Sequence, residues 1–342
     1  MLPDISTVKG PYLDDLLFQP RALSDTLANL KSLPDLHPSK YSRIVLTGMG
    51  GSFHALHPLH LQLIGHGFTS LMAETSELVY SMPGLLDSRS LLIVVSQSGR
   101  SAETLRLLDA RGRGVTTIGI TNTADSPLAS RADATVLTHA GPEYSVSSKT
   151  VLAALMALTW VGDCLCGKDL AQTRSELEQT APAAALYLRR WDHHVAILFS
   201  VLQGARHFFF AGRGASLAAA GVGGLIVKEA THAHSEGMSS AAFRHGPFEM
   251  LSPEVFVLVF GGDPATAALN EALVEDIRNA GGRACLAATD SDPEPFRLPE
   301  VPSPVRPIVE MLPCQMMSLA LAAMAGREPG KFERITKVTT TE

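Results

Sequence analysis

Cysteine is scarce in this chain of 342 residues, and its four cysteines are not spaced as metal ligands or redox pairs are. A single residue separates Cys164 from Cys166, and both fall in an apolar helical pattern that predicts buried thiols. Cys285 and Cys314 stand far from them in the sequence. We therefore assign no chemistry to the cysteines.

Basic runs and membrane signals are also missing. Lys and Arg total 28 against 34 Asp and Glu, which gives a net charge of −6. Proteins that follow a nucleic-acid backbone or an anionic membrane need a basic face. Residues 1–4 do not begin a signal sequence, and apolar runs such as residues 195–202 are too short to span a bilayer. We expect a cytoplasmic globular protein with neither nucleic acid nor membrane as a partner.

Two common nucleotide-binding motifs are absent. Phe53 takes the place of the third glycine of a GxGxxG motif in residues 48–53, and Leu217 does the same in residues 212–217. No segment matches the GxxxxGK[ST] pattern, which excludes P-loop ATPases and kinases. A phosphorylated ligand should therefore be smaller than a dinucleotide, and the sequence predicts no cofactor.

Strand and helix patterns alternate along the chain. Residues 12–33 predict two short amphipathic helices interrupted at Gln19-Pro20. Apolar runs followed by a small-residue loop and a helical pattern then occur in residues 43–55 and 91–105, and further strands are predicted in residues 114–122 and 134–138. This alternation is typical of a parallel sheet with helices on both faces.

The second half repeats the first. Residues 47–56 align with residues 211–220 at an offset of 164, and residues 91–95 align with residues 255–259 at the same offset. The segment that begins at Gly114 aligns with the segment that begins at Gly282. A repeat of this kind predicts two similar α/β domains, each doubly wound and flavodoxin-like. The predicted limits are a helical segment 1–34, a first domain 35–165, a helical connection 166–199, a second domain 200–325 and a tail 326–342.

One loop differs between the halves. Ser96, Ser98 and Ser101 lie where a strand ends and a helix begins, so that hydroxyls, backbone N–H groups and the helix dipole converge. The matching loop of the second half carries Asp263, which repels anions, and Pro264, which lacks an N–H. We predict a phosphate site in the first half only. The alternative, that the serines are helix caps, requires one serine rather than three.

The densest group of acid and base side chains lies in residues 228–248. Glu229 ends an apolar helical run, and His245 precedes the turn signal Gly246-Pro247. A carboxylate and an imidazole can together move protons, so we interpret this stretch as the active centre. The alternative is a solvated helix end followed by a surface loop.

The histidines suggest a metal site as a further alternative. Neither candidate set has the HExxH spacing of a zinc helix, so we predict no metal site. The sets are His232, His234, Glu236 and His245 in one stretch, and His54, His57 and His60 in another.

Six motifs follow one another along nearly the whole chain. They are Gly50-Gly51-Ser52; residues 96–101; residues 138–143 with Val146-Ser147-Ser148; Lys228-Glu229; His245-Gly246-Pro247; and residues 337–342. In this order they resemble the motifs of the SIS (sugar isomerase) family. The likeness is to the isomerase half of glutamine–fructose-6-phosphate aminotransferases (glucosamine-6-phosphate synthases) and to the related fructosamine-6-phosphate deglycases, and it implies two tandem SIS domains.

The resemblance implies roles for individual residues. Glu229 would move a proton between C1 and C2 of a sugar phosphate, and Lys337 would form an imine with the open-chain sugar. His245 would assist ring opening in the site of a neighbouring subunit, which implies a homodimer. The implied phosphate ligands are Ser52, Ser96, Gln97, Ser98, Ser101 and Ser148, and the other implied substrate contacts are Gly50, Gly51 and Val146.

Three departures from the aminotransferase pattern bear on the reaction. The lysine three residues before the catalytic glutamate is Ile226 here, and the approach to the tail lysine is changed at residues 330–333. Leu2 stands where the glutaminase half would carry its cysteine, so we expect no ammonia from glutamine. These departures favour the deglycases and amino-sugar phosphate deaminases, which release an amine.

Two other functions stay open. One is a simple aldose–ketose phosphate isomerase. The other is a sugar-phosphate sensor without catalysis, and such sensors often carry a helix-turn-helix ahead of this domain. Residues 1–34 are too few and too acidic for that module, which favours the enzyme.

Overall fold

The computed structural model describes residues 5–34, 36, 38–112 and 114–341. The predicted domain start at residue 35 and the first four residues of the predicted helical segment lie outside these described ranges.

Two compact units alternate along the chain. The second-sheet unit comprises the chain up to Pro20, Glu143–Ser148 and Gln179–Glu333, and the first-sheet unit comprises Arg21–Pro142, Lys149–Glu178 and the tail from Arg334. The predicted domain limits remain predictions.

The described residues form fifteen α-helices, and the second of them begins at the predicted break Gln19-Pro20. They are α1 (Pro11–Leu17), α2 (Gln19–Asn29), α3 (Gly51–His54), α4 (His57–Gly65), α5 (Thr75–Tyr80), α6 (Ala102–Ala110), α7 (Pro127–Arg131), α8 (Lys149–Leu165), α9 (Leu170–Glu178), α10 (Thr180–Leu188), α11 (Trp191–Leu202), α12 (Leu217–Thr231), α13 (Ser240–Arg244), α14 (Pro264–Asn279) and α15 (Arg306–Met324).

The first sheet has five parallel strands in the order β2-β1-β3-β4-β5. This is the flavodoxin-like order, so the predicted fold class is confirmed. Every residue of β3 is buried, as expected where helices cover both faces of a parallel sheet. The strands are β1 (Arg43–Gly48), β2 (Ser70–Glu74), β3 (Ser90–Val95), β4 (Thr116–Thr121) and β5 (Ala134–Leu137).

The second sheet has four strands in the order β7-β6-β8-β9, again all parallel. Its first three strands in this order match β2, β1 and β3 of the first sheet, so the duplication predicted from the sequence is a structural one. The edge strands β2 and β7 were not predicted. The strands are β6 (His207–Gly212), β7 (Ser235–Ser239), β8 (Val255–Phe260) and β9 (Arg283–Ala287).

Backbone contact between α12 and β7 fixes the helix that carries Glu229. A Cβ atom at Gly237 would overlap the carbonyl oxygen of Ala220, and one at Gly224 would overlap the amide nitrogen of Gly237. Only glycine fits at both positions, because any side chain would force the helix and the strand apart. The last turn of α12 is therefore held in place by main-chain atoms.

Helix α15 corrects one expectation. The stretch Ser303–Met324 has a mean hydropathy of 1.4 over its most apolar window and is long enough to cross a membrane. The expectation that the apolar stretches are too short is wrong for this helix. However, 89% of that window is buried inside the protein, as in a core helix. No other helix of the described ranges meets the same criteria.

The cysteines are partly as predicted. Cys285 and Cys314 are buried, whereas Cys164 and Cys166 are half-buried. The prediction of buried thiols is wrong for these two, because α8 ends at Leu165 and the turn after it faces solvent. All four thiols are free.

Helix α15 also buries an acid. Glu310 is 0% exposed, and its Oε1 accepts a hydrogen bond of 2.8 Å from the Ser216 hydroxyl. No hydrogen-bond partner of Oε2 occurs among the described residues. Burial raises the pKa of Glu310 from 4.5 to about 7, against the lowering effects of the Ser216 hydrogen bond and the charge of Arg306.

The raised pKa predicts a stability that depends on pH. The protonated form is favoured in the folded protein, so this contribution is complete below pH 4.5 and is lost as the pH rises through about 7. The shift corresponds to on the order of 3 kcal/mol. Glu310→Gln stays neutral, so the variant should melt above the wild type at pH 8 and lose that advantage at pH 4.5. Melting curves of both proteins, with exposed Glu275→Gln as control, test this. A pH-independent difference would contradict it.

Candidate functional site

Two loops with predicted ligand residues emerge side by side from the first sheet. Gly50, Gly51 and Ser52 follow β1, and the serine loop, residues 96–101, follows the neighbouring strand β3. A Cβ atom at Gly48 would lie 3.0 Å from the Ser52 carbonyl carbon and 3.0 Å from the Val95 carbonyl oxygen, so the backbones are in close contact. The two connections diverge here, at the topological switch point where parallel sheets bind ligands.

The serine hydroxyls of this loop accept hydrogen bonds from its own backbone. Ser96 Oγ accepts from the amide of Gly99 at 3.1 Å, and Ser98 Oγ accepts from the amide of Arg100 at 3.2 Å. A hydroxyl that accepts in this way keeps its proton for donation to an anion. The loop thus orients two O–H groups beside the start of α6.

Ser101 has a structural role as well. It is the N-cap of α6, and its Oγ accepts from the amide of Thr104 at 3.4 Å and lies 2.8 Å from the Thr104 hydroxyl. The capping alternative is therefore correct for this serine. Ser96 and Ser98 do not cap the helix, so capping does not account for the whole loop.

The loop is tied to the end of β4. The carbonyl of Gln97 accepts from the amide of Asn122 at 3.0 Å and from the Thr121 hydroxyl at 3.1 Å. Gly99 has a φ of 60°, and a Cβ there would overlap the side chain of Ser126. The loop conformation is therefore fixed without a ligand, which favours anion binding by reducing the ordering cost.

The C-terminal tail reaches the same place. The carbonyl of Thr339 accepts a hydrogen bond of 3.1 Å from the amide of Ala102, the first residue of α6. Lys337 lies two residues before this contact and belongs to the same compact unit. The structure thus brings the tail that carries Lys337 to the start of α6, next to the serine loop.

The second-sheet unit contains Glu229, Glu143 from the third motif, and Tyr12, which sequence analysis did not select. Glu229 is half-buried in the last turn of α12. Burial raises the pKa of the Tyr12 phenol, as do the negative charges of Glu229 and Glu143, although a 2.9 Å hydrogen bond with Ser318 lowers it. The negative charges of both carboxylates thus act on the phenol. Tyr12 was missed because its apolar helical pattern indicated only packing.

Ser148 is engaged within the protein. Glu143 Oε1 accepts from the Ser148 amide at 3.0 Å and from its hydroxyl at 3.2 Å. Ser148 and Val146 are both 0% exposed, and Glu143 is 6% exposed. Phosphate binding by Ser148 remains a prediction, and it requires the hydroxyl proton to turn away from Glu143.

Asn122 shapes the loop that holds the third motif. Its Oδ1 accepts from the Ala140 amide at 2.8 Å and from the Thr138 hydroxyl at 3.0 Å, and its Nδ2 donates to the Gly141 carbonyl at 2.8 Å. His139, between them, has a left-handed φ of 49°. Sequence analysis took Asn122 only as the end of a strand, since these bonds span 16 to 19 residues.

His245 is exposed at the end of α13. Gly246 follows with a φ of 144°, and Pro247 begins a short 3-10 helix, so two backbone restrictions orient the loop as its sequence indicated. In the described part of the chain, no group of three or more His, Cys, Asp or Glu side chains is arranged to hold a metal ion.

Comparisons with known proteins agree with this architecture. A family model described as SIS domain matches residues 36–161 and 201–325. The glutamine–fructose-6-phosphate aminotransferase (isomerizing) of Pyrococcus horikoshii is 32% identical, over 98% of this chain and 59% of its own length. The chain thus spans about three fifths of that relative.

Two solved structures share the fold. The C-terminal domain of glucosamine-fructose-6-phosphate aminotransferase from Francisella tularensis superposes with a TM-score of 0.84 at 22% identity, over 96% of this chain and 100% of that one. Glucosamine-6-phosphate deaminase from Thermotoga maritima gives 0.80 at 18% identity, over 97% and 100%. At these identities the likeness is one of fold.

The geometry predicts where an anion binds. In crystals soaked with fructose 6-phosphate or sulfate, density should lie against Ser96, Ser98 and Ser101. Ser98→Ala should weaken fructose 6-phosphate binding about tenfold, because it removes a donor to a charged group. Ser130→Ala, an exposed serine elsewhere in the same unit, is the matched control. Density found only at Gly261-Gly262 would refute the assignment.

Proposed function

Since the chain belongs to the SIS domain family, we propose that it is a phosphosugar enzyme acting on an amino-sugar or ketosamine 6-phosphate. It transfers a proton between C1 and C2, and release of the amine is the favoured direction. One observation carries the proposal. Glu229 is half-buried at the end of a helix fixed by backbone contacts, in a chain whose first sheet ends in a preformed hydroxyl loop.

In the proposed reaction, one carboxylate, that of Glu229, both removes a proton from the sugar and returns it to the neighbouring carbon. With a ketosamine 6-phosphate, Glu229 removes a proton from C1 and returns it to C2 while the amine N–H proton passes to the C2 oxygen, which leaves an imine at C1 and a hydroxyl at C2. Water then hydrolyses the imine to an aldose 6-phosphate and the free amine. With an amino sugar carrying nitrogen at C2, the proton moves from C2 to C1 and an amine proton passes to the C1 oxygen, and water hydrolyses the resulting C2 ketimine to a ketose 6-phosphate and ammonia. A carboxylate suits both steps because it accepts and donates within hydrogen-bond reach.

The phosphate anchors the substrate in this proposal. Ser96, Ser98 and Ser101 would donate hydroxyl protons to it, and the positive end of α6 would add its dipole. Gln97 and Ser52 lie on the same two loops, and Ser148 would complete the set. Gly50, Gly51 and Val146 would line the rest of the sugar site.

The direction of the reaction rests on Ile226. It is 1% exposed inside α12, at the position where the aminotransferases carry a lysine. The amine that the aminotransferases carry one turn before the glutamate is therefore replaced by an aliphatic side chain, although Lys228 still directly precedes Glu229. Release of an amine needs no such group, which is why we favour a deaminase or deglycase. The Thermotoga maritima structure named as a glucosamine-6-phosphate deaminase has the same fold, which is consistent with this choice.

The tail would supply the remaining amine. Lys337 would form an imine with the open-chain sugar, held near the serine loop by the Thr339 carbonyl. The approach to it differs from the family pattern at residues 330–333, where Glu333 pairs with Arg327 at 2.9 Å. We propose Lys337 as a substrate contact whose covalent role depends on the substrate.

Assembly completes the proposal. His245 is exposed, as a residue that serves a neighbouring subunit must be before assembly. We propose a cytoplasmic homodimer in which His245 assists ring opening in the partner's site.

Loss of the base should separate binding from turnover. Glu229→Gln keeps the shape and the hydrogen bonding but removes the base, so we expect turnover to fall by about a hundredfold to ten-thousandfold with substrate affinity retained. The assay offers glucosamine 6-phosphate, fructosamine 6-phosphates, and fructose 6-phosphate with ammonia, and detects released amine and sugar phosphate. Exposed Glu254→Gln is the control.

The outcomes of this screen distinguish the alternatives. Amine release supports the proposal, whereas interconversion of aldose and ketose phosphates without amine would support the simple isomerase. If every phosphosugar binds at the serine loop and none reacts, the protein is a sensor and the enzyme proposal is wrong.

The shared site predicts complementation. Glu229→Gln and His245→Ala should each be inactive, but mixed and reassembled dimers should regain about a quarter of the wild-type activity if the two chains exchange at random, because half the dimers are mixed and each of these has one intact site. Native mass spectrometry would verify exchange. Exchange without recovered activity would show that each site is built from one chain.

A further inference from the structure

A cavity opens at the carboxyl ends of β8 and β9 in the second-sheet unit. Its volume is about 240 Å³. It is lined by Gly261-Gly262 after β8, by residues 287–290 at the end of β9, and by the start of α14. The cavity lies at the carboxyl ends of the strands, the side on which parallel sheets bind ligands, one strand away from the switch point between β6 and β8, and the proposed function assigns no phosphate to it. The volume is below that of drug-sized pockets and suits a small metabolite.

Three charged side chains line this cavity. Arg306 supplies a guanidinium, and Glu271 and Asp290 supply carboxylates. None of the three has an ion-pair partner within the described residues. Glu271 and Asp290 are exposed and can meet a ligand, whereas the charge of Arg306 also acts on the buried Glu310.

Arg306 is held in place by neutral acceptors. Its guanidinium donates to the Gly262 carbonyl and, at 3.1 Å, to the Ser303 hydroxyl. Glu310, one turn along the same helix, receives the Ser216 hydroxyl instead of the guanidinium. A guanidinium has five N–H donors, so at least two remain after bonds to these two acceptors. A positioned guanidinium with unused donors is suited to a carboxylate.

A phosphate is the wrong ligand for this cavity. The Asp263 side chain caps α14 by accepting from the Ala265 amide at 2.8 Å, and Pro264 has no N–H to offer. Glu271 and Asp290 would both repel a dianion. The groups that bind phosphate in the first sheet are thus replaced by groups that oppose it.

We propose that this cavity binds a free diamino acid, with its carboxylate at Arg306 and its two ammonium groups at Glu271 and Asp290. The aliphatic part lies against the apolar wall of Leu286, Leu298 and Val301. One guanidinium and two carboxylates give the cavity a formal charge of −1, so a diamino acid with one carboxylate complements it best. The proposal stands independently of the proposed reaction, since it involves none of the residues of that site.

Calorimetric titration of the full chain with L-lysine tests the proposal. Glu271→Gln and Asp290→Asn should each weaken binding about tenfold, because each removes one charge-assisted contact. Glu275→Gln, one turn along the same exposed helix face and outside the cavity, should bind as the wild type does. Equal melting temperatures of the variants would show that the fold is retained.

Ligand variants separate the two ends of the site. Cadaverine, which lacks the carboxylate, should bind at least about tenfold more weakly than lysine, and inorganic phosphate should not compete. Absence of lysine binding up to about 10 mM, a free energy weaker than about −3 kcal/mol, would overturn the proposal. So would binding unchanged by Glu271→Gln and Asp290→Asn, cadaverine binding equal to that of lysine, or displacement by phosphate.

Discussion

The in-register pairing of β1 with β3 is the constraint on which the candidate phosphate site depends. Gly48, the last residue of β1, is paired with Val95, the last residue of β3. The chain leaves both strands at the same level and in diverging directions, which opens a crevice between two loops. Because the backbones touch at Gly48, a side chain there would separate Ser52 from the serine loop even though every polar group remained.

The two sheets share a strand order but carry different side chains at the equivalent loops. At the start of α6 the chain carries serine hydroxyls, with Ser101 as the N-cap and the Ala102 amide bonded to the Thr339 carbonyl, whereas the start of α14 carries Asp263 and Pro264. The strand order around both loops is the same. The proposed difference in ligand between the two halves thus depends on a few side chains at the strand ends. The sheets only determine where these side chains lie.

The local pattern of the sequence was sufficient for the central strands and the serine loop. It failed for β2 and β7, because both are only partly buried, β2 has an apolar run of only three residues, and β7 is largely polar. It also failed for Tyr12, Asn122 and Thr339, whose contacts join residues far apart in the chain. Glu229 and Ser98 could be selected as candidates because each stands in a motif whose neighbours indicate the turn or helix end that positions it.

The alternation of the two units along the chain has a consequence for how the protein can be made and divided. The second-sheet unit uses residues near the amino end, including Tyr12, and residues as late as Glu333. A ribosome must therefore release almost the entire chain before this unit can close, which delays burial of its core and favours slow, non-local folding. A fragment cut at the limits of the repeat would lack Tyr12 and Glu143, so neither half can be expected to behave as an excised domain.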